Sequence, residues 1–131
     1  MQQPVTGTSV DSPAVVILAT SSVLISPFEQ LVRGARVGDV LVRPDLILPP
    51  ATGEVMREFD DKKLRFAEVD FRPLLFGRVD LFANQLAELT KSCRGSVRLL
   101  RPKVWSMLPR QRLEQFAQII SESCGAKTVV I

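Results

Sequence analysis

Residues 96–131 read SVRLLRPKVWSMLPRQRLEQFAQIISESCGAKTVVI, and the order of patterns within them decides the fold. From Ser96 to Leu100, Val97 and Leu99 alternate with Arg98, which predicts a strand. Pro102 ends it, Lys103 to Met107 connects, and Pro109 opens a helix. Leu113, Phe116, Ala117, Ile120 and Cys124 recur at helical spacing, so that helix has one apolar face. Gly125 closes it, and Thr128 to Ile131 is a final strand. Strand, helix, strand fits a β-α-β unit with parallel strands and a right-handed crossover.

Working upstream, Leu81 to Cys93 predicts a second helix, capped by Asp80 and carrying Phe82, Leu86, Leu89 and Cys93 on one face. Pro73 to Phe76 is a short apolar run broken by Gly77. The first apolar run, Ala14 to Ala19 (AVVILA), is rich in β-branched residues and fits a strand covered on both faces. Ser26-Pro27-Phe28-Glu29 combines a capping serine, a proline at the first helical position and an S-x-x-E box. It predicts a short helix that buries Phe28, Leu31 and Val32 and stops at Gly34. Val40–Val42 and Leu46–Leu48, separated by Arg43-Pro44-Asp45, read as two short strands or one bent edge strand. Glu54–Phe59 and Leu64–Phe71 flank Asp60-Asp61-Lys62-Lys63 and read as a β-hairpin.

Together these elements predict an α+β fold. It has a single mixed β-sheet with about three helices, a β-rich N-terminal part with a hairpin near 54–71, and the C-terminal β-α-β unit. A three-layer α/β sheet is the alternative. Residues 14–131 form one globular domain, and the polar, proline-containing residues 1–13 a flexible tail.

Composition narrows the chemistry. The chain has no histidine, which removes His-assisted nucleophiles and His metal sites. Cys93 and Cys124 form no metal motif; each reads as a small core residue. Two isolated cysteines without a secretory signal suggest an intracellular, reducing compartment, with the cytoplasm as the expected location. The apolar run from Ala14 to Ile25 is too short to span a bilayer. Thr20, Ser21 and Ser22 precede a helix N-terminus, where an anion could sit, but no glycine-rich cradle accompanies them.

Charge is unevenly distributed. Residues 1–88 hold nine Lys/Arg and twelve Asp/Glu, whereas residues 89–131 hold eight and two. Between Leu89 and Leu113 there are seven basic residues, no acid and the only tryptophan. Such a half invites an acidic protein face, nucleic acid or anionic lipid. The expected partner-binding residues are Arg94, Arg98, Arg101, Lys103, Trp105, Arg110 and Arg112. Arg94 lies at a helix C-terminus, where the dipole favours a cation; Arg110 and Arg112 lie at an N-terminus, where it does not, which favours them as contacts.

No catalytic residue, metal site or cofactor is assigned. The expected function is a non-catalytic subunit or adaptor of a larger assembly. It would bind a protein partner through the basic, Trp-containing surface at 91–112 and through the open edge of its terminal strand. Trp105 in the core is the competing reading. A nucleic-acid (RNA)-binding subunit is the first alternative, with Trp105 stacking on a base. A small enzyme using carboxylate, Ser or Lys chemistry is the second, with Asp39, Asp45, Asp60 and Asp61 as candidates. A homo-oligomer is compatible with each.

Overall fold

A computed structural model of the chain describes residues 14–19, 26–42, 52–125 and 127–131. The tail 1–13, the Thr20–Ser22 stretch, Leu46–Leu48 and Asp45 lie outside them. Five strands alternate with helices: β1 (Val15–Leu18), α1 (Pro27–Gly34), β2 (Val40–Val42), α2 (Gly53–Asp61), β3 (Arg65–Ala67), α3 (Arg72–Leu75), α4 (Val79–Lys91), β4 (Val97–Leu100), a 3-10 turn (Lys103–Trp105), α5 (Arg110–Cys124) and β5 (Thr128–Val130). They form a single sheet in the order β3-β2-β4-β1-β5, and every pairing is parallel.

Helices cover both faces, which is the three-layer arrangement. Val15, Ile17, Val40, Val42, Val97 and Leu99 point to the face covered by Phe82, Leu86, Leu113 and Ile120 of α4 and α5. Val16, Leu18 and Leu41 point to the other, under Phe28, Leu31 and Val32 of α1 and Val55 of α2. A strand buried on both faces cannot alternate, which is why β1 reads as the unbroken run VVIL with all four residues buried.

Local signals place several elements as expected. Ser26 Oγ accepts from the Glu29 amide at 3.1 Å, with Pro27 at the first helical position. Gly125 ends α5 in the left-handed region at φ 69°. The β-α-β unit is present as two parallel strands of one sheet, but β1 lies between β4 and β5. Pro109 stands just outside α5 as its N-cap, and Arg78, not Asp80, precedes α4.

The hairpin is corrected. Residues 53–61 are helical, and β3 runs parallel to β2. Thr52 Oγ1 caps the helix by accepting from the Val55 amide at 3.3 Å. Val55 and Phe59 are four apart and meet the α1 face of the core while Arg57 between them is exposed, a pattern that fits a helix and not a strand, where all three would share a face. Arg33 of α1 then bridges Glu54 and Glu58. Asp60 and Asp61 are exposed at the end of this helix, and Lys63 makes the turn at φ 54°.

Candidate functional site

Because all strands are parallel, their amino ends share one edge of the sheet and their carboxyl ends the other. β1 and β4 are neighbours, yet their connections diverge. From β1 the chain passes to α1 and on to β2, on the far side of β4; from β4 it passes to α5 on the opposite face and on to β5, beyond β1. Open parallel sheets bind their ligands at the carboxyl ends beside such a switch point. The β4–α5 connection, residues 101–109, leaves there.

This connection has a rigid base. The Arg101 amide donates to the Leu18 carbonyl of β1 at 2.8 Å. The Trp105 amide donates to Pro102 O, and the Leu108 amide to Trp105 O, at 2.8 and 3.0 Å. The Trp105 ring turns inward, is only 3% exposed, stacks on Phe116 at 4.9 Å and meets Phe82 edge-on at 6.0 Å. Trp105 is therefore a core residue and presents no surface to a partner. Its neighbours point the other way: Met107 is 92% exposed and Val104 42%. Proline on either side keeps this segment short and irregular, so Trp105 and, in part, Leu108 pack inward while Val104 and Met107 stay out.

The seven expected contacts do not form one patch. Arg94 precedes β4 at the amino edge and Arg101 follows it at the carboxyl edge, roughly 20 Å apart along an extended chain. Arg98 lies between them on the α1 face and is buried. Its NH2 nitrogen lies only 2.7 Å from where a Cβ on Gly34 would stand. Its Nε has no hydrogen-bond acceptor among the described residues. Burial lowers the pKa of this guanidinium, and Asp39 partly offsets the shift. Arg98 was expected at the surface on the strength of alternation, but alternation marks an outward face only where one face of the sheet is bare.

Arg101 and Lys103 lie on the β4–α5 connection, and Arg110 and Arg112 in the first turn of α5 that follows it. Arg101 is half-buried and the other three are exposed. Arg110 has local partners: Nε pairs with Glu114 at 3.2 Å and NH2 donates to the Val130 carbonyl at 2.7 Å. In the register Ile17↔Val130, the Ile131 amide bonds to Ile17, so the Val130 carbonyl points outward from the edge of the sheet. Arg110 thus occupies an acceptor that a partner strand would need. Arg112 bonds to Gln115 at 2.8 Å and lies 5.4 Å from the centre of the Phe116 ring.

The β3–α4 connection leaves the same edge and adds Leu75 and Phe76, 66% and 78% exposed. Phe71 of that connection touches Phe82, the ring against which Trp105 packs. These residues escaped sequence reasoning. The one available signal was an apolar residue in a proline-bounded segment with no periodic face.

The other candidates have structural roles. Asp39 is buried and accepts from the Arg36 amide at 2.9 Å and the Ser96 amide at 2.7 Å, so both its oxygens are occupied. The Cys93 and Cys124 thiols are half-buried, and burial pushes both pKa values up. Among the described residues no three His, Cys, Asp or Glu side chains converge as a metal set, and no helix is long and apolar enough to cross a membrane. Compared with known protein families, curated proteins and solved structures, the chain matches none.

Proposed function

We propose that this chain is a non-catalytic binding module, a subunit or adaptor of a larger assembly, which docks a protein partner through residues 101–112, the β4–α5 connection and the start of α5. One observation carries the reading. The most exposed large apolar side chain among the described residues, Met107, stands with Val104 between Arg101, Lys103, Arg110 and Arg112 on a segment whose base is locked by Trp105. Exposed methionine and arginine over a rigid support are what protein interfaces favour. The terminal strand is left out of the proposal because Arg110 covers its outward carbonyl.

The test compares the wild type with Val104→Asp/Met107→Asp, each purified from the native source at native abundance. The wild type is expected to co-elute with a stoichiometric protein. The double variant should elute alone with its thermal midpoint unchanged. A wild type without a partner, or a variant that keeps one, removes the reading.

The four cations also support nucleic-acid binding through phosphates. That alternative loses its stacking ring, since Trp105 is buried. Affinity for an RNA oligomer that falls steeply with salt would favour it; absent binding at low salt would end it.

A further inference from the structure

We infer that the partner presents to this connection an acidic segment, an apolar side chain flanked by carboxylates. The inference rests on the docking reading above and adds the chemistry of what docks.

Residues 101–112 contain four cations and no acid. Met107 sits in the middle, with Arg101 and Lys103 before it and Arg110 and Arg112 after it. Arg110 is held by Glu114 and the Val130 carbonyl. Among the described residues Arg101 and Arg112 have no carboxylate at ion-pair distance; Arg112 bonds only to neutral Gln115. A partner surface that covers Val104 and Met107 and reaches the residues flanking them in the chain also strips water from the Arg101 and Arg112 guanidinium groups. A neutral or basic surface would leave those charges buried and unpaired, which opposes binding. Carboxylates on both sides of an apolar residue remove that penalty and add charge-assisted hydrogen bonds.

Two other occupants fit less well. A nucleic acid would meet the cations with phosphate, but Met107 and Val104 offer no ring on which a base can stack. An anionic lipid surface would meet the whole carboxyl edge of the sheet, and there Arg72 and Arg78, on either side of the exposed Leu75 and Phe76, are already paired with Asp70 and Asp80 and leave no uncompensated cation for a headgroup.

The experiment places a photo-crosslinking benzoylphenylalanine at Met107 and, as a control, at Val37. Val37 is 66% exposed in the connection at the opposite edge of the sheet. After irradiation in the native source, linked peptides are mapped by mass spectrometry. The Met107 position is expected to link to a protein segment in which Asp or Glu lies within about one helical turn on either side of the linked residue. The Val37 position should not. The Lys103→Glu/Arg112→Glu background should reduce the link at least ten-fold. A link to a segment without acids, or one indifferent to the charge reversals, overturns the inference and leaves the docking reading standing. A link to RNA or lipid, or no link above the Val37 control, overturns both.

Discussion

The two edges of the sheet are built on opposite plans. At the amino ends of the strands nearly every connection is tied to another. Asp39 joins the loop before β2 to the start of β4 through the Arg36 and Ser96 amides. The Gly38 amide donates to Lys62 O, the Gly95 amide to Gly38 O, and Lys62 Nζ to the last carbonyls of α1. A Cβ on Gly95 would overlap the Asp39 carboxylate, so the loops approach as closely as backbone allows. At the carboxyl ends the described connections show Val104, Met107, Leu75 and Phe76 to solvent, beside cations and the Asp70 and Asp80 carboxylates that pair with Arg72 and Arg78. One edge is tied together by hydrogen bonds, and the other is where open parallel sheets generally bind their ligands.

The largest effect belongs under the free edge. Trp105→Ala empties the space between Phe82 and Phe116 and should cost about 3–5 kcal/mol, read as a lower urea midpoint. Retained stability with lost association would instead make Trp105 a contact and undo the contrast between a fixed base and an exposed tip.

Next comes the stitched edge. Asp39→Ala removes two charge-assisted bonds and leaves two amides without their acceptor, so a loss of roughly 2–4 kcal/mol is expected. Docking at Met107, at the other end of the sheet, should be unaffected once the protein is folded. If Asp39→Ala abolished partner binding at full folding, the two edges would not be separable.

Arg98 lies between the two edges. It is buried, and its Nε is unsatisfied among the described residues. Arg98→Met keeps much of the volume and removes the charge, so stability should be unchanged or rise by about 1 kcal/mol in urea titration. A clear loss would show that the guanidinium has a compensating partner.

What could be read beforehand was local. The Ser26 cap, the Gly125 stop and the VVIL strand each depend on residues adjacent in sequence. The helix at 53–61 depends on more. Only Val55 in it is fully buried, and Arg33, far off in sequence, bridges two of its acids. Strand order is entirely non-local: nothing in 96–131 announces that β1 inserts between its two strands. The basic run was legible as composition, but strand β4 carries it across the sheet, so its cations reach both edges and one face. Met107 was not singled out because exposure in a short connection leaves no periodic trace.

Acid should loosen the α1–α2 contact in a defined direction. The Lys62 ammonium, with Arg33 nearby, holds the Glu58 carboxyl below its ordinary value of 4.5. A depressed carboxylate contributes stability that is present above its unfolded value and is lost as pH falls through the folded one. The effect therefore begins below about pH 4.5, and Glu58→Gln should flatten that part of the pH–stability curve. The group is at the surface, so the change is small and should fade in high salt.

The smallest expected change in stability falls at the residue through which docking is proposed. Met107 is nearly all in solvent and contributes little to the core, so Met107→Ser should move the unfolding free energy by less than about 0.5 kcal/mol. Urea titration of the variant beside Trp105→Ala compares two residues only two positions apart, one facing in and one facing out. If Met107→Ser proved as costly as an interior truncation, its side chain would be packed against the fold, and the carboxyl edge would have no apolar tip to offer a partner. If the cost is negligible while association is lost, binding and folding are divided between neighbours on one short connection, and each can be altered without the other.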